Sequence, residues 1–357
     1  MRLIALVDMD YFFAACEELR SPEIKGKPVV VGADPKGGAG RGVVSACNYV
    51  ARKYGTRSGM PISMAYRLKR DAIFLPVDYD YYEAESKKVM TIIKAHADRF
   101  EQVSVDEAFA DVSTRTGDYQ KAVEVATEIK EEINKKLGLP CSVGVGTNKL
   151  IAKMACEDAK PNGVKLVREE EASGFLSEKP VGDLYGVGRK MNEKLRAMGY
   201  IKIGDLAKAN VMDLVEEFGS YGTDIYHYAN GNDDSEVQEN YEVKSIGREK
   251  TFEVDTDDVR IVSAAIWDMS REVAAEVRKG GFAFKVVTLK VRYPNFEEHM
   301  RSRSLSHRSD KVEEIAGSSL ELFGKYVEKG EKVRKVGVRV SNLVRYTGQK
   351  RMEEYLG

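Results

Sequence analysis

The sequence predicts a multidomain α+β chain, and three observations carry that prediction. With residues 11–77 set aside, the apolar runs and helical spacings over residues 1–166 follow the order β-α-β-β-α-β, the split βαβ or ferredoxin-like arrangement. Residues 180–231 then read as a compact helical unit, closed by the acidic and polar linker "NGNDDSEVQEN". Beyond the linker, strand-like and helical segments alternate again in a second α+β region of different charge. Lys244 to Gly357 hold 23 Lys and Arg against 18 Asp and Glu, a net of +5, while the remainder carries −6 within a total of −1. That asymmetry allows a polyanionic partner for the C-terminal third, and a solvated charged surface explains it equally well.

The elements follow in order. "RLIALVD" is a buried strand ending in acid, and "PVVVG" and "VVSAC" are strands of a small insert bounded by glycine-rich turns. "DYDYYEAESKKVMTIIKAHADRF" has helical apolar spacing. "EQVSV" and "EAFADV" read as two strands meeting near Asp106. "GDYQKAVEVATEIKEEINKKLG" is an amphipathic helix, "PCSVGVG" a further strand, and "TNKLIAKMACEDAKPNG" a helix stopped by Pro161 and Gly163. In the C-terminal region, strands "FKVVTLKVRY" and "KVRKVGVRVSNLV" accompany helices "DVRIVSAAIWDMSREVAAEVRK" and "KVEEIAGSSLELFGKYVEKG".

Several classes of protein are disfavoured. No stretch approaches the ~18 uninterrupted apolar residues of a membrane span, and "MRLIALVDMD" meets acid too early for a signal peptide, so a cytoplasmic protein is expected. Cys16, Cys47, Cys141 and Cys156 are dispersed without a C-x-x-C pair, and the four histidines show no ligand spacing. Buried thiols are the expectation, with neither a disulfide framework nor a zinc site.

The chemistry concentrates in acids. A lone Asp at a strand end is most often a turn residue. Here, however, the split βαβ order brings Asp8, Asp106 and Glu107 to one edge of one sheet, although the whole insert and a helix separate Asp8 from the other two in sequence. Converging carboxylates repel or raise one another's pKa, and hard divalent cations such as Mg2+ need oxygen ligands of this kind. Two such ions about 3.5–4 Å apart can activate a hydroxyl and stabilise a leaving oxygen in displacement at phosphorus.

"VDMDYFFAACEEL", "NYVARKYGTRSGMP", "SVDEAFAD", "SVGVGTNKLIAKMA", "KPNG" and "KSIGREKTF" together resemble the Y-family translesion DNA polymerases, in the archaeal and bacterial DNA polymerase IV (DinB-like) class, and the resemblance points to an archaeal member. It spans nearly the whole chain. It implies a ferredoxin-like palm over 1–10 and 78–166, a fingers insert over 11–77, and a helical thumb over 167–231 containing a helix-hairpin-helix. A linker over 232–243, a C-terminal α+β little-finger domain over 244–345 and a tail over 346–357 complete it. The implied activity is template-directed, error-prone DNA synthesis from dNTPs on primer-template DNA, distributive and without proofreading, by a monomer.

Residue by residue, the resemblance implies that Asp8, Asp106 and Glu107, with the Met9 carbonyl, hold two Mg2+ ions. Asp10 is assigned to capping the helix that follows it. The amides of Tyr11, Phe12 and Phe13 at that helix start are offered to a triphosphate. Phe13 is the implied steric gate against a 2'-hydroxyl, with the Phe12 ring in the core. Tyr49 and Arg52, three apart on one face if helical, are expected to grip the triphosphate with Lys160. Val50 departs from the Glu common among relatives, and a packing change is expected there. Small Val43, Ser45 and Ala46 cover the nascent pair.

"GVGRKMNEKLRAMG" resembles a helix-hairpin-helix in which Gly186 and Gly188 admit a DNA phosphate, with Tyr185 in place of the usual proline. Arg248, Arg301, Arg303 and Arg339 are the expected little-finger contacts to duplex backbone, on strands whose polar face alternates with an apolar one. In "GQKRMEEYLG", Gln349, Met352, Tyr355 and Leu356 resemble a sliding-clamp-binding peptide, with Leu356 departing from the second aromatic. The alternatives are a catalytically silent DNA-binding scaffold of the same fold and a nucleotidyl cyclase. The intact acids with Arg52 and Lys160 weigh against the first. The helix-hairpin-helix and basic region weigh against the second.

Overall fold

The computed structural model describes residues 1–239, 242–327 and 330–345. It contains two compact units, Met1–Asn240 and Tyr241–Gly357.

The first unit is organised by a five-stranded sheet in the order Arg99–Gln102, Glu107–Asp111, Ile4–Asp8, Ser142–Gly146, Val164–Leu166. Ile4–Asp8 is central and antiparallel to both neighbours, and Val164–Leu166 is a parallel fifth strand added to the split βαβ set. Because successive side chains of a strand face opposite ways, a strand covered on both sides must be apolar throughout, as "IALV" is. Leu3, Ala5 and Val7 pack with Val89 and Ile93 of helix Tyr79–Ala95 and with Ala126 and Ile129 of helix Tyr119–Leu137. Ile4, Leu6 and Phe109 face the other way, towards Ala152 and Cys156 of helix Lys149–Ala159.

That last helix lies hard against the sheet. A side chain at Gly144 would collide with Ala152 O and Cys156 N, so glycine is what permits the approach. The outer side of the same helix carries Ile151, Met154 and Ala155 into the core of the helical region that follows, with Leu176, Leu195, Leu206, Leu214 and Ile225. One helix therefore serves two cores and fixes the orientation of its remaining, polar edge.

The insert holds a three-stranded sheet in the order Val44–Cys47, Val29–Gly32, Ile73–Leu75. Its first two strands match the sequence reading, while the third, parallel to Val29–Gly32, has no separate sequence signal. The acidic stretch read as a linker is partly docked. Val237 is buried with Leu6 and Phe109, Gln238 N donates to Glu101 Oε2 at 2.8 Å, and Leu150 N donates to Asp233 Oδ2 at 3.1 Å.

The second unit is an antiparallel sheet in the order Glu298–Ser309, Phe282–Arg292, Val333–Ser341, Ser245–Thr256, with Val344–Arg345 pairing Phe282–Arg292. Helices Val259–Lys279 and Val312–Val327 cover one face, packing on Val287, Leu289, Val338 and Val340. The opposite face is polar. Across it, Gly247, Arg339, Thr288 and Ser302 form one row by direct cross-strand pairing. All four cysteines of the chain are buried thiols. Among the described residues no helix is long and apolar enough to cross a membrane.

Candidate active site

The central strand ends at Asp8, whose cross-strand partners are Glu107 on one side and Ser142 on the other. Glu107 begins its strand, but the strand before it stops at Gln102, so Val103 to Asp106 form the connecting hairpin rather than the strand expected from "EQVSV". The hairpin is tied at its base by Val103 N and Ser104 N, both donating to Glu107 O. It is tied to the central strand by Met9 N donating to Asp106 O at 2.9 Å. Two adjacent acids here therefore do different things: Glu107 projects from the sheet and Asp106 from a turn.

Helix Lys149–Ala159 brings cations to these acids. Lys153 Nζ lies 3.0 Å from Glu107 Oε2, 3.4 Å from Asp8 Oδ2 and 3.0 Å from Glu157 Oε1. Lys160 Nζ lies 2.8 Å from Asp8 Oδ2 and 2.9 Å from Glu157 Oε1. Burial alone would depress the ammonium of Lys153, yet Glu107, Asp8 and Glu157 outweigh it and raise its pKa. Lys160 is raised in the same way, chiefly by Asp8 against its burial. Burial pushes the Glu107 carboxyl above its usual range in spite of Lys153.

Lys153 and Glu157 were not singled out by sequence reading. Their only signal is the i, i+4, i+7 run Lys153, Glu157, Lys160, which on an isolated helix means a surface ion pair.

Asp106 stands apart. Its carboxylate accepts from Ser104 Oγ within its own turn, and among the described residues no three His, Cys, Asp or Glu side chains are drawn together closely enough to enclose a metal. The physical reason is electrostatic: like charges separate unless a cation lies between them, and the cation between Asp8 and Glu107 is the single ammonium of Lys153. The donor set itself, all oxygen and arranged around positions where cations reside, suits a hard divalent ion.

Asp10 does not cap the helix Phe12–Arg20, as the sequence suggested. The cap position is Tyr11, and no side chain bonds the first turn. Asp10 is turned to the opposite wall, where Oδ1 accepts from Ser142 Oγ at 2.7 Å and Oδ2 accepts from Asn162 N at 2.9 Å. Burial raises its pKa against both hydrogen bonds. The amides at the helix start thus stay clear of a competing carboxylate.

Residues Tyr49–Arg52 do form a short helix, with Asn48 Oδ1 accepting from Ala51 N. Arg52 is aimed by backbone: Nε donates to Cys47 O and Nη2 to Asp10 O, each at 3.2 Å. The Tyr49 hydroxyl is buried without a hydrogen-bond partner among the described residues. A buried orphan donor of this kind is costly and marks a place for a polar ligand atom. Phe12 is 2% exposed in the core, so only its amide is available to a ligand. Phe13 is half-buried, its ring stacked on Tyr82 at 4.3 Å between centroids and nearly coplanar at 13°. The Tyr82 hydroxyl in turn donates to buried Glu17 Oε1 at 2.7 Å, so the Phe13 ring is held from behind. Val43 is exposed, and Ser45 and Ala46 are half-buried, on and beside the insert's first-paired strand.

Gly186 takes φ +88°, and a side chain there would strike the Tyr221 hydroxyl, which donates to Gly186 O. Gly188 precedes helix Arg189–Ala197, whose start no side chain caps. In the C-terminal unit the four arginines do not share a face. Arg339 lies on the open polar face, whereas Arg248, Arg301 and Arg303 stand opposite Val338, Leu289 and Val287 on the helix-covered face, at the sheet's two edges. Arg248 pairs with Glu272 and Glu276, Arg303 with Glu321, and Arg301 lies over the Tyr326 ring. Gln349, Met352, Tyr355 and Leu356 fall outside the described residues.

Comparisons with known proteins converge. Residues 7–157 match the model of the impB/mucB/samB family, residues 243–353 that family's C-terminal domain, and residues 182–233 the DNA polymerase-iota thumb domain. The chain is 44% identical over 342 residues to a DNA polymerase IV of Methanoculleus marisnigri, covering 96% of this chain and 94% of that one. It is 43% identical to DNA polymerase IV 2 of Methanosarcina mazei, again over 342 residues, with 96% and 92% covered. Among solved structures, a Y-family DNA polymerase chimera, Dbh-Dpo4(243-245)-Dbh, superimposes with a TM-score of 0.88 at 30% identity, covering 96% of this chain and 99% of that one. An insertion ternary complex of Dbh DNA polymerase gives 0.67 at 28% identity, with the same coverage.

Proposed function

Given that the chain belongs to the Y-family DNA polymerases, in the DNA polymerase IV class, we infer that the sheet edge at Asp8, Asp106 and Glu107 is its nucleotidyl-transfer site. The protein is a DNA-directed DNA polymerase of the translesion type, and as such it uses divalent metal. The observation that carries the site is the direct pairing of Asp8 with Glu107 beside the Asp106 turn, with ammonium groups held among the carboxylates.

Asp8, Asp106 and Glu107, with the Met9 carbonyl, would hold two Mg2+ ions. When bound, such ions acidify the primer 3'-hydroxyl and stabilise the departing pyrophosphate oxygen. The chain's own groups bind and orient. Arg52, pinned by two backbone carbonyls, offers a planar donor fork to the triphosphate. The Tyr49 hydroxyl and the Lys160 ammonium join it, and the uncapped amides from Tyr11 to Phe13 complete the cradle. The Phe13 ring, backed by Tyr82, excludes a 2'-hydroxyl.

Primer-template DNA is held by phosphate contacts at the amides around Gly186 and Gly188, and by the polar face that carries Arg339. Arg248, Arg301 and Arg303 would contribute from the sheet edges. The tail at Gln349, Met352, Tyr355 and Leu356 is assigned to a sliding clamp, and the enzyme to a cytoplasmic monomer.

Glu107→Ala and Asp106→Ala test this reading in primer extension with Mg2+ and four dNTPs. Extension should collapse in both while duplex binding persists. Near-normal extension by either variant refutes the site.

A further inference from the structure

Asp10 presents a physical question that the metal and triphosphate roles leave unanswered. It is 6% exposed, two residues from Asp8, in the part of the site that must receive a polyanion. Among the described residues no cation lies in salt-bridge contact with its side chain, Lys160 acting on it only from a distance, and both its hydrogen bonds come from neutral donors. A buried carboxylate so placed is costly, and it repels the ligand unless it orders something that attracts it.

The partners show what it orders. Asn162 belongs to the turn that leaves helix Lys149–Ala159, two residues after Lys160, and it adopts the left-handed conformation at φ +53° that a non-glycine residue rarely takes. Asp10 Oδ2 accepts the amide of that residue. Ser142, on Oδ1, also accepts from Gly163 N at 3.4 Å, so the turn is clipped twice, directly and through the serine. On the opposite side the Asp10 carbonyl accepts from Arg52 Nη2. One residue thus sits between the two cations assigned to the triphosphate and is bonded to the frame of each.

We propose that Asp10 is a positioning residue for the incoming nucleotide, whose carboxylate fixes the 160–163 turn and thereby the reach of the Lys160 ammonium, setting nucleotide affinity rather than the rate of the chemical step. The proposal rests on the reading of Lys160 as a triphosphate contact. It also explains the orientation of the side chain: turned to the helix start, Asp10 would compete with phosphate for the amides, whereas turned to the 160–163 turn it helps to assemble their partner.

The test is single-turnover insertion of one nucleotide, which separates the dNTP dissociation constant from the maximal rate, with primer-template affinity measured alongside. Asp10→Ala should weaken dNTP binding about tenfold, the size of one displaced charge-assisted contact, with primer-template affinity unchanged. Asp10→Asn should restore binding, because its amide oxygen can accept from Asn162 N while its NH2 donates to Ser142 Oγ.

Lys160→Ala separates the two levels of the argument. If it leaves dNTP affinity unchanged, the triphosphate reading itself fails. If it weakens affinity but Asp10→Ala does not, or if the double variant is weaker than Lys160→Ala by the full Asp10→Ala factor, the positioning role is overturned. Should Asp10→Ala not melt cooperatively, Ser142→Ala carries the same test, with about threefold weaker dNTP binding expected for one lost hydrogen bond and unchanged binding refuting the proposal.

Discussion

Replacing Lys153 by Met removes a cation that touches the carboxylates of Asp8 and Glu107 while keeping most of the side chain's apolar bulk. Lys153 and Glu107 are 15% and 18% exposed and 3.0 Å apart, a separation worth about 5 kcal/mol at an effective dielectric of ~20 before desolvation is counted. Removing one member of a buried pair costs about 3–5 kcal/mol, and the partial opening of this site to water reduces that to roughly 2–3 kcal/mol. Asp8 keeps Lys160 at 2.8 Å, so the loss falls mainly on Glu107. For a unit of this size such a loss corresponds to about 5–10 °C in melting midpoint.

The assay is calorimetry of the full chain in chelator. The single tryptophan, Trp267, lies in the C-terminal unit, so its fluorescence reports an internal reference transition that should not move. Adding Mg2+ should raise the variant's midpoint more than the wild type's, since the divalent ion then meets carboxylates with one ammonium fewer.

The sign of the pH dependence follows from Glu107. Burial holds its folded pKa above the ordinary 4.5, so its contribution to stability is greatest below 4.5 and is lost as pH rises through the folded value. Removing Lys153 raises that value further, so the variant's deficit should be small near pH 4.5 and reach full size at neutral pH. An unchanged midpoint in chelator, or equal Mg2+ shifts in both proteins, would refute the idea that Lys153 is the counter-ion of this sheet edge.

Three further outcomes are expected. Phe13→Ala should raise ribonucleotide insertion by on the order of 100-fold, the equivalent of a clash of about 3 kcal/mol, without a matching change for dNTPs; unaltered sugar discrimination in steady-state kinetics would place the gate elsewhere. Arg339→Ala should lower the log–log salt slope of duplex binding by about 0.9, whereas Arg303→Ala, whose guanidinium already has Glu321, should change it less; equal slopes would mean that the open face does not track the backbone. Deleting residues 349–357 should leave unassisted insertion intact and abolish stimulation by the cognate clamp, and equal stimulation of both forms would remove the tail from the mechanism.

What could be read from the sequence depended on whether the signal was a period or a contact. The unbroken apolar run "IALV" and the helical spacing of Tyr119–Leu137 declare themselves locally, so the split βαβ sheet and the convergence of Asp8 with Glu107 were legible. Ile73–Leu75 and Val164–Leu166 are three residues each and half-buried, too short for a period to show.

For Arg301 and Arg303 the face is a matter of phase. They share strand parity with Leu305, which packs on the core, while Arg339 alternates with Val338 and Val340 and so must face away from it. The strand parity of "RSRSLSH" and "VRVS" carries this distinction, and their charge composition does not.

Lys153 and Asp10 had no such signal. The first looks like one end of a helical surface ion pair, and the second sits where an Asp usually caps. What decides both is the close seating of helix Lys149–Ala159 on Gly144, which points one edge of that helix at Asp8 and Glu107 and delivers the turn after it to Asp10. A glycine in the third position of an apolar strand thereby sets where two lysines, a glutamate and a buried aspartate act, and no local pattern around any of those four residues contains that fact.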